Sequence, residues 1–363
     1  MSFKYLNIIG LMTGTSVDGI DISLVKTNGI NIERQNENYF YKFNSRIRNL
    51  FLNVLSEDIK TNLRKKKYLD EVVTEEHYKA LKGLKILDKC DLIGFHGQTI
   101  YHNPSEKVSI QLGNPQKLAK LLNKDVMFDF RLSDLKNGGQ GAPLAPIYHK
   151  LIIESLNLEL PSCILNIGGV ANLTYWDGEK LIGFDTGPGN ALMDNYIREI
   201  SDNYFDDKGI LASQGIPDKQ ILKKFINHDY FKKIPPKSLD KNTFIDFYNY
   251  LLSEKMTPPD TMATLALFTL EAIFISLKFL PNKIKSVLVT GGGYKNKFLM
   301  SLLKEKINAN FVQEKDTDVD FNYLESELIA FLSARSIYNL PFTFPSTTGV
   351  KKPSSGGKVY NTL

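Results

Sequence analysis

A carboxylate at the end of an apolar, strand-like run is the sharpest chemical signal in this sequence. Segment 184–190 (FDTGPGN) follows the run 181–184, and its Gly-Pro-Gly fixes an unusual backbone just past Asp185. A carboxylate acts as a general base when it lies within hydrogen-bond reach of an attacking hydroxyl or water, and partial burial raises its pKa toward neutrality. Asp185 is therefore the candidate catalytic base. An Asx-turn cap and a metal ligand are the alternative roles.

Three glycine-rich turns could bring backbone N–H groups close to phosphate oxygens. Segment 13–19 (TGTSVDG) lies between two β-prone runs and includes Asp18, whose carboxylate could hold hydrated Mg²⁺, although a plain hairpin turn is equally possible. Segment 166–172 (NIGGVAN) ends a buried strand and could close on the β- and γ-phosphates, and segment 290–293 (TGGG) could admit a base or ribose. The candidate residues are Gly14, Thr15, Ser16, Asp18, Gly19, Gly168, Gly169, Asn172, Gly291, Gly292 and Gly293.

Other polar segments are suited to a polyhydroxylated ligand. They are 96–99 (HGQT), 129–134 (DFRLSD) and 138–143 (GGQGAP). Arg131 could pair with a carboxylate in bidentate geometry. His96 is equally well explained as a hydrogen-bonded histidine at a strand end.

Several common site types are excluded by their missing motifs. Nothing matches the P-loop pattern GxxxxGK[ST], and no GxGxxG follows a strand, so a Rossmann dinucleotide site is not expected. The histidines have no zinc-ligand spacing, and the two cysteines, Cys90 and Cys163, form neither a disulfide framework nor a four-ligand zinc site. Two isolated thiols fit a reducing compartment.

The elements that must position these groups repeat along the chain. Each half begins with β-prone runs around a glycine turn, at 6–12 and 20–26 and again at 163–167, 171–176 and 181–184. Helices are predicted over 45–87 and 260–280, and buried strands over 92–95 and 285–290. Because 363 residues exceed the usual size of a single core, we predict two α/β domains that share a cleft.

Composition limits the expected partners and compartment. The net charge of +5 is a mild excess, and the basic residues are scattered rather than gathered among aromatic residues as in nucleic-acid binders. The N-terminal apolar run is too short for a signal peptide, and no stretch approaches the roughly 20 apolar residues that span a bilayer. We expect a cytoplasmic protein that binds neither nucleic acid nor membrane.

In order along the chain, eight segments resemble the anhydro-N-acetylmuramic acid kinase family of the sugar kinase, Hsp70 and actin superfamily. They are 10–21, 95–99, 111–114, 129–143, 165–172, 183–190, 290–296 and 345–349. The departures are Thr13 in place of Ser, Lys136 and Asn137 where the family favours small residues, and Glu327 as a second carboxylate near Glu325.

The resemblance implies a two-domain, actin-like α/β ATPase fold with nucleotide and sugar in the interdomain cleft. The implied domains are 1–137, completed by about 325–363, and 138–324. The implied reaction uses water to open the 1,6-anhydro ring of 1,6-anhydro-N-acetylmuramic acid and ATP to phosphorylate O6. The products are N-acetylmuramic acid 6-phosphate and ADP, in peptidoglycan recycling, and a homodimer is implied as well.

The resemblance also implies residue roles. Asp185 takes a proton from the water that attacks C1. Turns 14–19 and 168–169 hold phosphates and Mg²⁺, and Asp18 contacts the metal through water. Turn 291–293 lies against adenosine. The implied sugar contacts are His96, Gln98, Thr99, Arg131 and Glu325. Two other functions stay open, because a fold does not determine a function. One is a chaperone-like or regulatory ATPase, and the other is an ordinary hexose kinase that works without ring opening.

Overall fold

The computed structural model describes residues 3–14, 16–56, 62–239 and 243–362, which belong to two compact units. Unit 1 comprises Met1–Leu151 and Asn322–Leu363, and unit 2 comprises Ile152–Phe321. The domain boundaries expected from the sequence lie after residues 137 and 324, and they stay predictions.

The chain opens with an antiparallel meander whose first strand then pairs in parallel with a fourth strand. The strands of this region are β1 (Leu6–Thr13), β2 (Gly19–Thr27), β3 (Ile32–Lys42), β4 (Leu92–Asn103), β5 (Val108–Leu112) and β6 (Val126–Phe128). Its helices are α1 (Ser45–Ser56), α2 (Leu63–Leu81), α3 (Ile86–Lys89), α4 (Pro115–Leu122), α5 (Leu132–Lys136) and α6 (Pro146–Ser155).

Unit 2 begins with a second antiparallel meander and continues with parallel strands. Its strands are β7 (Ser162–Ile167), β8 (Val170–Trp176), β9 (Leu181–Pro188), β10 (Ser286–Thr290) and β11 (Asn310–Val312). Its α-helices are α7 (Ala191–Ile200), α8 (Lys219–Phe225), α9 (Asp229–Lys232), α10 (Ile245–Ser253), α11 (Pro258–Leu277) and α12 (Lys297–Lys306). Short 3-10 turns occur at Asp207–Gly209, Ala212–Gln214, Gly292–Lys295 and Glu314–Asp316.

The C-terminal segment returns to unit 1 as α13 (Leu324–Ile337) and β12 (Lys358–Tyr360). Strand β12 pairs with β6, and α13 packs on β1, β2 and β4. Glycines allow this close packing, since a Cβ on Gly10 would lie 1.9 Å from the main-chain oxygen of Ser326, and one on Gly94 would lie 2.4 Å from Ser333 Oγ. The helix backbone therefore lies directly against the sheet.

The two sheets share the order of five strands. This order is β6-β4-β1-β2-β3 in unit 1, where β12 is added beside β6 and β5 pairs with β4, and β11-β10-β7-β8-β9 in unit 2. In each, the parallel strands are added beside the first strand of the meander. This duplicated arrangement is that of the actin-like ATPase fold, so the predicted fold class and the predicted pair of meanders are confirmed.

Helix α11 corrects one expectation from the sequence. By length and composition it could cross a membrane, although no stretch of that kind was expected, and 72% of its apolar window is buried inside the protein. Its buried residues belong to the core of unit 2, which also contains Phe184, Phe247 and Leu299. A helix surrounded by core can have the same length and apolar composition as a membrane span, because both environments exclude water.

Candidate functional site

Asp185 lies in β9 with its carboxyl group held by a nearby segment of unit 2. The residue is 7% exposed, and Oδ2 accepts a hydrogen bond from the N–H of Leu239 at 2.9 Å. Its main-chain oxygen accepts from the hydroxyl of Tyr230 at 2.6 Å, and its N–H donates to the main-chain oxygen of Lys237 at 2.9 Å. The carboxylate is therefore held in one position, as a general base must be.

A β-bulge beside Asp185 helps to set the direction of its side chain. Asn172 pairs with Asp185 and Ala171 pairs with Gly187, so Thr186 is the extra residue of β9. Thr186 is fully buried, and its Oγ1 donates to the main-chain oxygen of Ala171 at 3.1 Å. Bulges bend a strand and often re-aim a side chain next to a functional site.

Lys237 is a buried cation near Asp185 that no local sequence signal marks. It is 3% exposed, and its Nζ donates to the main-chain oxygen of Tyr230 at 3.1 Å. Nζ also lies 4.7 Å, 4.8 Å and 5.9 Å from the ring centroids of Tyr230, Phe279 and Phe184. Burial, assisted by the charge of Lys233 and opposed by Asp185, lowers the pKa of Lys237 to about 8. In the sequence, the preceding pair Pro235 and Pro236 is typical of a break between elements and does not indicate a buried cation.

Two predicted glycine turns meet at the carboxyl ends of β7 and β10. These strands are parallel, with Asn166 opposite Thr290. A Cβ on Gly291 would lie 2.3 Å from Asn166 Oδ1, and Gly291 has φ +76°. A Cβ on Gly293 would lie 2.4 Å from Ile167 Cγ2. Glycine is required at 291 for both space and backbone conformation.

Turn 168–169 is closed by the residues that follow Asp185 and lies beside turn 291–293. The N–H of Gly189 donates to the main-chain oxygen of Gly169 at 2.9 Å, and that of Asn190 to the oxygen of Gly168 at 2.7 Å. A Cβ on Gly292 would lie 3.2 Å from the side-chain nitrogen of Asn190. Unit 2 thus brings both predicted glycine turns and the FDTGPGN segment together.

The first glycine turn belongs to unit 1 and is shaped by its own side chains. Ser16 Oγ donates to Asp18 Oδ1 at 2.8 Å, and the N–H of Val17 donates to the main-chain oxygen of Gly14 at 3.3 Å. A Cβ on Gly19 would lie 2.4 Å from the main-chain oxygen of Tyr41, so packing against β3 already requires this glycine. The predicted phosphate residue Thr15 lies outside the described residues.

The carboxylate of Asp18 fits the way in which Mg²⁺ binds together with phosphates. Among the residues that the structure describes, no group of three His, Cys, Asp or Glu side chains could hold a metal ion. Mg²⁺ usually keeps several waters and is held by one or two carboxylates plus substrate phosphates. The half-buried carboxylate of Asp18 suits this mode, whereas an all-protein metal cage is not formed by the described residues.

The buried His96 and the half-buried Arg131 form one hydrogen-bonded pair in unit 1. Arg131 donates to His96 Nε2 from Nε at 3.2 Å and from Nη2 at 3.1 Å, and it also donates to the main-chain oxygen of Gly141 at 2.8 Å. His96 Nδ1 lies 2.9 Å from the main-chain oxygen of Gly97. Burial and the charge of Arg131 lower the pKa of His96 to about 3, so its ring is neutral with the proton on Nδ1.

Gln98 and Thr99 connect the first glycine turn with β4. Gln98 Nε2 donates to the main-chain oxygens of Gly14 at 3.3 Å and Thr99 at 3.2 Å. Gln98 is 1% exposed, and its Oε1 is buried with no hydrogen bond among the described residues. Thr99 Oγ1 accepts from Gln111 Nε2 at 3.2 Å. Both residues could contact a ligand hydroxyl as donor or acceptor.

The structure distinguishes the two carboxylates at the start of α13. Glu327 is 2% exposed and accepts from Arg34 Nε at 3.0 Å and from the hydroxyl of Tyr148. Glu325 is half-buried in the first turn of the same helix. Glu327 is therefore committed to a buried ion pair, and Glu325 stays the predicted sugar contact.

The remaining departures from the family pattern are accommodated in unit 1. Lys136 and Asn137 are exposed at the end of α5. Thr13 is 2% exposed, and its Oγ1 lies 3.3 Å from His77 Nε2, while His77 Nδ1 lies 2.7 Å from the main-chain oxygen of Val73. The hydroxyl group of Thr13, which Ser would also supply, therefore has a hydrogen-bond partner in His77.

Comparison with known proteins gives one consistent result. The family model described as anhydro-N-acetylmuramic acid kinase matches residues 6–362. The chain is 38% identical over 366 residues to the anhydro-N-acetylmuramic acid kinase of Rhodopseudomonas palustris strain BisB18, a match covering 98% of this chain and 99% of that protein. It is 37% identical over 375 residues to the enzyme of the same name from Pelagibacter ubique, covering 98% of each.

The comparison with solved structures matches this chain to the activator of the 2-hydroxyisocaproyl-CoA dehydratase from Clostridium difficile with bound ADPNP. It is 13% identical to this chain, with a TM-score of 0.43, and the match covers 92% of this chain and 97% of that one.

Proposed function

The chain belongs to the anhydro-N-acetylmuramic acid kinase family, and we propose that it opens the anhydro ring of 1,6-anhydro-N-acetylmuramic acid while phosphorylating O6. Family membership makes it a kinase that uses ATP. The proposed products are N-acetylmuramic acid 6-phosphate and ADP, formed during peptidoglycan recycling. The observation that carries the proposal is the fixed, buried carboxylate of Asp185 next to two glycine turns in unit 2.

Asp185 acts as the general base in the proposed reaction. Water adds to C1 as the C1–O6 bond breaks, and Asp185 takes the proton that the water loses. The electron pair of the broken bond goes to O6, which attacks the γ-phosphorus as ADP leaves. Such a reaction needs positioning and charge stabilisation more than covalent chemistry from the protein.

The glycine turns hold ATP in this proposal. Turn 168–169 approaches the phosphates and turn 291–293 the adenosine, where glycine allows close contact with the backbone. Asp18 would hold Mg²⁺ through water, and the bound ion would supply positive charge for the phosphates. His96, Gln98, Thr99, Arg131 and Glu325 stay predicted sugar contacts. The cytoplasmic location, the homodimer and the absence of nucleic-acid and membrane partners also stay predictions.

The test measures ADP release by wild type and Asp185→Asn, with and without 1,6-anhydro-N-acetylmuramic acid, and identifies the sugar product by mass spectrometry. We expect ADP release to require the anhydrosugar and the product to gain both water and phosphate. Asp185→Asn should lose at least roughly 10²-fold in rate. The matched control is Asp202→Asn, which changes an exposed carboxylate of unit 2 and should keep full activity.

Three results would contradict the proposal. Full activity of Asp185→Asn would remove Asp185 as the base. Equal ATP turnover without sugar would favour a chaperone-like or regulatory ATPase. A product that gains phosphate without water would favour an ordinary hexose kinase.

A further inference from the structure

Three polar side chains form a row across the meander of unit 2. Asn166 in β7 pairs with Asn172 in β8, and Asn172 pairs with Asp185 in β9. Directly paired residues of antiparallel strands share one face of the sheet, with Cβ atoms about 4.5–5.5 Å apart. Asn172 is therefore the immediate cross-strand neighbour of the proposed base.

The side-chain oxygen of Asn172 needs a donor that the described part of the chain does not supply. This Oδ1 is buried and has no hydrogen bond among the described residues. A buried acceptor left unsatisfied costs about 1–3 kcal/mol. The oxygen is therefore suited to a donor that arrives from outside the chain, such as a bound water or a substrate hydroxyl.

A water that attacks carbon needs two acceptors. One O–H group passes its proton to the base, and the other must still be hydrogen-bonded while a lone pair points at the carbon. A carboxylate and an amide oxygen on neighbouring strands can both reach one bridging water. Phosphate oxygens cannot satisfy Asn172 Oδ1, because at neutral pH ATP phosphates offer acceptors rather than donors.

We infer that Asn172 is a further catalytic residue that holds the attacking water against Asp185, and this inference rests on the proposed function. Asn172 Oδ1 accepts one O–H group of the water. The other proton goes to Asp185 as the water oxygen bonds to C1, and the C1–O6 electron pair leaves with O6. The role differs from the phosphate contact that the sequence suggested for Asn172.

The test separates water positioning from phosphate binding. Asn172→Leu removes the acceptor at similar volume, and kcat with the anhydrosugar should fall by roughly 10- to 100-fold. The KM for ATP, and the Kd of a non-hydrolysable ATP analogue measured by calorimetry, should stay within about twofold of wild type. Thr174→Val is the matched control, since Thr174 is buried two residues further along β8 on the same face, and it should keep wild-type kcat.

Asn172→Asp keeps an acceptor oxygen at this position, so it serves as a second variant in case Asn172→Leu does not fold. The carboxylate introduced at position 172 lies beside that of Asp185, and two neighbouring carboxylates cannot both ionise easily. The apparent pKa on the acid side of the pH profile of kcat/KM should therefore rise. Wild-type kcat in Asn172→Leu, or a raised KM for ATP with unchanged kcat, would overturn the inference. If Asp185→Asn is inactive while Asn172→Leu keeps full kcat, only this inference fails, whereas full activity of Asp185→Asn removes the proposed function itself.

Discussion

The buried charge of Lys237 should make the stability of unit 2 depend on pH in a way that Lys237→Met abolishes. Burial, together with Lys233, lowers the pKa of Lys237 from its ordinary value of 10.5 to about 8. One pKa unit corresponds to about 1.4 kcal/mol, so this lowering of the pKa corresponds to a free energy on the order of 3 kcal/mol. That is the cost of keeping the ammonium charged inside the folded unit.

The direction in which the free energy of unfolding changes with pH follows from the protons that the folded and the unfolded chain bind. Below pH 8 the lysine is charged in both the folded and the unfolded chain, and the folded state bears the whole cost. Between pH 8 and 10.5 the folded chain has released the proton while the unfolded chain keeps it, so the free energy of unfolding of wild type rises with pH. The stability of Lys237→Met relative to wild type should therefore fall by up to about 3 kcal/mol from pH 7 to pH 10.5.

The assay uses the single tryptophan of the chain as a reporter of unit 2. Trp176 lies in β8, so its fluorescence during urea unfolding follows this unit. Titrations of wild type and Lys237→Met at pH 7, 8, 9 and 10 give the difference in free energy of unfolding at each pH. Lys219→Met, an exposed lysine of the same unit, is the control. A stability difference for Lys237→Met that does not change with pH would refute the reasoning, because it would show that folding costs the Lys237 ammonium nothing.

Three further substitutions test other contacts. Glu327→Gln leaves the buried Arg34 without its carboxylate and should cost about 3–5 kcal/mol, measured as a lower thermal midpoint, whereas a double variant with Arg34→Met should recover part of the loss. Gly10→Ala places a methyl group 1.9 Å from the main-chain oxygen of Ser326 and should destabilise the chain by about 1–3 kcal/mol in urea unfolding. Gly291→Ala, at φ +76°, should weaken the binding of a non-hydrolysable ATP analogue by about tenfold or more in calorimetry.

Each of these predictions has a contradicting outcome. An unchanged thermal midpoint for Glu327→Gln would mean that Arg34 finds another partner. Wild-type unfolding of Gly10→Ala would mean that α13 can move away from β1 without loss. Unchanged analogue binding by Gly291→Ala would remove turn 291–293 from the nucleotide site.

Local patterns predicted the meander strands well, because strand and turn signals lie within a few residues of each other. The runs 163–167, 171–176 and 181–184 correspond to β7, β8 and β9, although β9 continues to Pro188. The predicted helix over 45–87 is divided instead. Helix α2 ends at Leu81, and Gly83 has φ +84°, a conformation that stops a helix.

Contacts between distant parts of the chain could not be predicted from such patterns. Lys237 and Asp185 are brought together by tertiary packing alone, and the two polar residues share no sequence motif. Glycines posed a second problem, since the sequence cannot distinguish a glycine needed near a ligand from one needed for packing. Gly19 was a candidate phosphate residue, yet its missing side chain is already explained by contact with β3.

The position of α13 has a consequence for synthesis on the ribosome. Strand β1 ends at Thr13 and α13 begins at Leu324, so the 310 residues 14–323 are translated between the end of the strand and the start of the helix that covers it. At about 5–20 residues per second, this interval lasts about 15–60 s. Unit 2 is translated completely during that time, whereas the face of the first sheet that α13 covers stays uncovered. Nascent chains should therefore acquire protease resistance in unit 2 first, and unit 1 is the part that depends on protection from aggregation until translation ends.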